Sequence, residues 1–95
     1  MIVVVATIKA RPGSEAEVEA ILRELAFLTR AEPGCLLYEL HVREGDPTSF
    51  LFYERWESDE ALDTHLTSPH MGEAFAKTGE LLESPPDIQR FTRVE

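Results

Sequence analysis

One cysteine is all the sequence offers, Cys35, and the chain holds no second thiol to pair with it. That scarcity excludes a disulfide framework, an iron–sulfur cluster held by four thiolates and a cysteine-based structural zinc site. A small chain with a lone free thiol fits a reducing cytoplasm, which is the expected location. Long apolar runs are missing too: nothing approaches the roughly 20 residues that cross a bilayer. The apolar start, Met1 to Thr7, has no basic leader and reaches Lys9 too soon for a signal peptide. Positive charge is the third shortage. Nine Lys and Arg stand against 18 Asp and Glu, a net charge of −9. That field repels nucleic-acid phosphates and anionic lipid, so neither nucleic acid nor membrane is an expected partner.

What remains is a chain of 95 residues, enough for a single domain over 1–95. Ile2 to Ala10 is rich in β-branched residues and predicts a strand, broken by Pro12-Gly13. Ser14 with Glu17 three residues on predicts a capping box. Val18, Ile21, Leu22, Leu25 and Leu28 then follow the i, i+3, i+4, i+7 spacing of an amphipathic helix. Pro33-Gly34 stops it. Strands are expected over Leu36–Arg43 and Ser49–Glu57, joined by the Glu44-Gly45-Asp46-Pro47 turn as a hairpin. Ser58 caps a short helix to Leu66, and Ser68-Pro69 reads as a cap followed by proline at the first helical position. The helix so started is expected to carry Met71, Phe75, Leu81 and Leu82 inward and to end at Pro85-Pro86, before a last strand over Ile88–Val94. The order β-α-β-β-α-β, its second helix broken in two, is an α+β, ferredoxin-like arrangement: a four-stranded antiparallel sheet with helices on one face.

Strand side chains alternate between faces, which exposes a problem. Val3, Val5 and Thr7 share one face of the first strand, and Ile2, Val4, Ala6 and Ile8 the other. In the third, Phe50, Phe52 and Trp56 oppose Leu51 and Tyr53. Helices cover one face only, and a wet face should alternate apolar with polar. A second copy of the chain is the simplest cover for the other, giving a homodimer.

Several stretches carry a resemblance. Phe52-Tyr53-Glu54-Arg55-Trp56-Glu57-Ser58, then Ala61-Leu62, His65-Leu66, Ser68-Pro69-His70-Met71 and Phe75, resemble the antibiotic-biosynthesis-monooxygenase (ABM) family. Arg11-Pro12-Gly13 is similar to that family's break after the first strand, and Glu32-Pro33-Gly34-Cys35 to its turn before the second. The resemblance runs from Met1 to about Val94. It implies a dimeric α/β-barrel assembly of ferredoxin-like subunits, each with a pocket between sheet and helices. It also implies one of several activities: oxidation of phenols or quinols by O2 without metal or flavin, haem degradation, or isomerisation of small signalling molecules. Haem-degrading members use an Asn, a Trp and a His where this chain aligns Thr7, His65 and Phe75, and none of the three matches.

His65 is the candidate catalytic residue. It follows Leu62 by three and Ala61 by four, so it shares their inward helical face, where a titratable imidazole can take a proton from a phenol or quinol. A buried histidine satisfied by a backbone carbonyl or by Glu54 is the structural alternative. The candidate substrate contacts are Trp56, Phe52, Tyr53, Phe75, His70 and Thr7, each of which a small core or interface would equally use. Tyr38 could also donate to a substrate oxygen. Glu54 could orient a histidine or cap a helix, and His41, on the face of Leu37 and Glu39, is structural if that face is the subunit interface. His65 and His70, five apart across a helix break, make a poor chelating pair, so no metal and no other cofactor is expected. The leading function is thus a cofactor-independent monooxygenase taking an aromatic small molecule and O2. A same-fold isomerase, a non-catalytic binding or stress-response dimer, and a subunit of a larger oxidoreductase are the alternatives.

Overall fold

The computed structural model describes residues 1–95. Its elements are β1 (Ile2–Lys9), α1 (Glu15–Thr29), β2 (Cys35–Arg43), β3 (Asp46–Trp56), α2 (Asp59–Leu66), α3 (Pro69–Thr78) and β4 (Asp87–Thr92). The four strands form one sheet in the order β2-β3-β1-β4, each neighbour antiparallel. The ferredoxin-like expectation holds, with α2 and α3 as the two halves of the broken helix. No helix is long and apolar enough to cross a membrane.

The inward face carries Val4, Ala6 and Ile8 of β1, Tyr38 of β2, and Phe50, Phe52, Glu54 and Trp56 of β3, all buried. Val18, Leu22, Leu25 and Ala26 of α1 close over them, with Leu62 of α2 and Met71 and Ala74 of α3. The outward face is built from cross-strand rows. Phe91, Val3, Arg55 and Leu37 align, as do Gln89, Val5, Tyr53 and Glu39, and Asp87, Thr7, Leu51 and His41. This face is therefore not uniformly apolar. Its apolar groups concentrate on β1 and β3, while Glu39, His41, Asp87 and Gln89 of the outer strands frame them.

Three local expectations need correcting. Ser14 makes no side-chain cap; Gly13, at φ +95°, turns its N–H toward Glu15 Oε2 at 2.7 Å instead, so the acid two residues nearer than Glu17 satisfies a backbone donor just ahead of the helix. The hairpin is tighter than the turn signal suggests, since β3 begins at Asp46. That carboxylate accepts from Thr48, Ser49 and Lys9, which holds it well below the usual carboxylate range. Finally, α3 ends at Thr78, short of Leu81 and Leu82. The chain there peels off to pair with the end of β1: Arg11 N donates to Leu81 O, Glu83 N to Lys9 O, and Leu82 forms a bridge with Ala10. Leu82 is still buried, but as a strand-like residue.

The turn after α1 presses against the start of α2. Gly34 sits at φ +84°, and a Cβ built on it would lie 2.5 Å from Ala61 Cβ. Both the backbone and the space demand glycine. Gly34→Ala is expected to cost roughly 1–3 kcal/mol in urea unfolding. Ala61→Gly should cost less in that background than alone, because it removes the clash but not the φ strain; a cycle without such coupling contradicts the close approach.

Candidate functional site

A cavity of about 50 Å³ lies between the inward sheet face and the helices. Val4, Ala6 and Phe52 form its sheet side, and Leu22, Leu62, Met71 and Ala74 its helix side. Phe75, Leu66 and Ile88 also line it and are partly exposed, which puts the opening on their side. Four lining residues are polar: Tyr38, Glu54, His65 and Thr78. Thr78 is spent locally, its Oγ1 donating to Ala74 O at 2.8 Å.

His65 is held on three sides. Ser58 caps α2 by accepting from Ala61 N at 3.1 Å, and Leu62 and His65 are the residues of that helix that bury. The imidazole packs against Trp56 with ring centroids 4.7 Å apart and meets Tyr38 edge-on at 5.4 Å. Its Nδ1 lies 2.7 Å from Glu32 Oε2, and the same oxygen lies 2.7 Å from His70 Nε2. A carboxylate oxygen can only accept, so the network assigns the proton of each ring to the nitrogen facing Glu32. His65 Nε2 then carries the lone pair, and it makes no hydrogen bond to the protein. Burial pushes the His65 pKa below its ordinary 6.5, outweighing the Glu32 carboxylate that raises it, and the nearby His70 lowers it further. The neutral imidazole is the form at neutral pH.

Glu54 is the second titratable group of the cavity. Trp56 Nε1 donates to its Oε1 at 2.9 Å, but burial, helped by the Glu32 charge, raises its pKa to about 7. Burial also pushes the Tyr38 hydroxyl far above its usual value, so this phenol keeps its proton.

The residues singled out from sequence divide clearly. Phe52 and His65 line the cavity and Phe75, 45% exposed, stands at its edge. Trp56 does not wall the cavity; fully buried, it backs the His65 ring. Tyr53 and Thr7 are on the outward sheet face, on the other side of the sheet from the cavity, because their strand parity opposes Phe52 and Ala6. His70 lies outside the lining as well, joined to it through Glu32. Its pairing with His65 also corrects the spacing argument: the helix break turns the two imidazoles toward one acceptor. Glu32 was visible in sequence only as part of a turn. Its partners are 33 and 38 residues away, and no local pattern signals them.

The family model described as antibiotic biosynthesis monooxygenase matches residues 1–77. The chain belongs to that family. The protein sll1783 of Synechocystis is 35% identical over 94 residues, 99% of this chain, and this chain spans 64% of the length of that relative. "Putative monooxygenase Rv0793" of Mycobacterium tuberculosis is 37% identical over 84 residues, covering 88% of this chain and 82% of that protein. The crystal structure of PA3566 from Pseudomonas aeruginosa superposes with a TM-score of 0.93 at 34% identity, covering 99% of this ABM-family chain and 94% of that one.

The Glu54 shift carries a stability prediction. Folding raises this carboxyl from 4.5 to about 7, so the fold favours the protonated form. Its contribution is fully present below pH 4.5 and is lost as pH rises through about 7. Glu54→Gln removes that dependence. Urea unfolding from pH 4.5 to 8 should show wild type falling relative to the variant by up to roughly 3 kcal/mol; parallel profiles would contradict a buried, protonated Glu54.

Proposed function

We propose that this chain is a cofactor-independent monooxygenase, acting in the cytoplasm as one domain over residues 1–95, that oxidises a quinol-like or polyphenolic small molecule with O2. The observation that supports this best is a neutral His65 in the wall of an apolar cavity, its Nδ1 held by Glu32 and its Nε2 free. Family membership and the name of the mycobacterial relative support the oxidative class. His65 Nε2 accepts the substrate O–H proton, and the substrate anion left behind is electron-rich enough to pass electrons to O2. One oxygen atom enters the product and the other leaves as water, with the substrate supplying all the electrons. Phe52 and Phe75 contact the ring, and Trp56 holds the base from behind. Glu32 fixes its tautomer and stabilises the imidazolium that forms.

The cavity sets a condition on this reading. A cavity that binds benzene measures about 150 Å³, three times the one described here. An aromatic ring therefore enters only as Phe75, Leu66 and Ile88 part. The same tightness favours a second reading, an isomerase of a smaller metabolite using the same base without consuming O2. Oxygen uptake with a panel of hydroquinones separates them. Wild type is expected to exceed His65→Ala and His65→Gln by about 100-fold or more on at least one substrate, and equal rates across the panel would remove the monooxygenase reading.

The proposed assembly is a homodimer through the outward sheet face, where Val3, Val5, Leu51 and Tyr53 stand between polar margins and Phe91 is 50% exposed. At low micromolar concentration, sizing chromatography with light scattering should report about twice 10.7 kDa. A stable species of single-chain mass refutes the dimer.

A further inference from the structure

Glu32, His65 and His70 come from three different segments, and each is fixed by its own local structure. Glu32 sits in the turn after α1, with its N donating to Thr29 O at 2.9 Å and its O accepting from Cys35 N at 3.2 Å. His65 is set by α2 and the Trp56 ring behind it. His70 is the second residue of α3, behind Pro69 and the Ser68 cap, which accepts from Met71 N at 3.3 Å. The two ring nitrogens and the carboxylate oxygen lie within 4.8 Å of one another. Their side chains are 10% exposed for Glu32, 1% for His65 and 19% for His70.

We propose that Glu32, His65 and His70 form a binding site for a divalent transition-metal ion of the zinc type, held by His65 Nδ1, His70 Nε2 and the Glu32 carboxylate. Two imidazoles and one carboxylate are a borderline donor set, suited to Zn, Co, Ni or Cu and poorly suited to Mg or Ca. Tetrahedral zinc with bonds of 2.0–2.1 Å spaces its ligands about 3.3 Å apart. Each 2.7 Å contact would therefore open by roughly half an ångström, and the two ring nitrogens, which lie within 4.8 Å, would close toward the same spacing, displacements within reach of side-chain torsions. No net proton is released when both rings are neutral; each ring's proton passes by solvent exchange to its other nitrogen. His70, 19% exposed, is the ligand nearest solvent, which can supply the remaining ligand.

Neither Glu32 nor His70 lines the cavity, so the ion would sit behind the His65 ring. Occupancy has a chemical consequence there. With Nδ1 ligated, the remaining His65 proton must reside on Nε2, so the metal-bound chain presents a donor where the metal-free chain presents an acceptor. The site itself does not depend on the proposed oxidation.

Cobalt alone is the first probe. Protein freed of metal with EDTA and titrated with Co2+ should develop a visible d–d absorption saturating at one ion per chain. Zn2+ should then bleach it and raise the melting temperature. His70→Ala and Glu32→Gln are expected to weaken Co2+ binding at least tenfold, while His41→Ala, on the outward face, leaves it unchanged. His70 is at a partly exposed helix start, and far-UV circular dichroism checks that each variant folds. Absence of a saturable Co2+ spectrum in wild type overturns the proposal, as does a spectrum that survives undiminished in both His70→Ala and Glu32→Gln. Oxygen uptake enters neither readout, so this proposal and the enzymatic one fail separately.

Discussion

A single carboxylate oxygen, Glu32 Oε2, receives hydrogen bonds from two imidazoles at 2.7 Å each, and most of the site's local geometry is arranged around making that possible. Glu32 reaches its position because the chain turns sharply at Gly34 and lets the start of α2 pack where any side chain would collide. The two histidines reach theirs because the helix is broken. In one continuous helix, residues five apart point about 140° away from each other. Ser68 makes the break: its hydroxyl donates to His65 O at 2.7 Å and accepts from Met71 N, ending one helix and starting the next. A smooth helix over the same residues would keep His65 inward and throw His70 to the far side.

That oxygen also sets the electrostatics. Glu32 raises the pKa of both His65 and Glu54, yet His65 ends below its ordinary value and Glu54 above its own. The common cause is burial, which penalises whichever form carries charge. The outcome is a cavity whose groups stay uncharged in their resting forms: a neutral imidazole, a carboxyl ionising only near 7, and a phenol that keeps its proton. The fixed negative charge is displaced to Glu32, outside the lining, where two N–H donors satisfy it. Such a cavity accepts an apolar ligand without paying to desolvate an ion, and it keeps one basic nitrogen available.

Sequence reading recovered the elements that depend on near neighbours. Alternation placed β1 and β3, the i, i+3, i+4 spacing placed α1, and Ser58 and Ser68 marked the two helix starts that the structure shows. Where several local solutions compete, it failed. Glu15 rather than Glu17 satisfies a free donor at the start of α1, and Leu82 buries by bridging to Ala10 instead of extending α3. Strand parity already separated Tyr53 and Thr7 from Phe52 and Ala6, but alternation alone does not say which face the helices will cover. Glu32 was out of reach for another reason: its role exists only once a turn, a capped helix and a helix break have been folded against one another.

A buried carboxyl and a buried imidazole interrupt the apolar core, and both line the same cavity. The buried positions of β3 run Phe50, Phe52, Glu54, Trp56, with a carboxyl where packing alone would take another apolar side chain. On α2 the buried pair is Leu62 and His65. A core selected for stability gains nothing from either. Glu54 receives one hydrogen bond, from Trp56, too little to keep it ionised at its burial, and its raised pKa measures that deficit. Natural sequences tolerate such local inconsistencies mainly where function requires them. One misplaced polar group could be a satisfied accident of packing. Two, from separate elements, lining one cavity with their titrations shifted by burial, support the proton chemistry proposed for it.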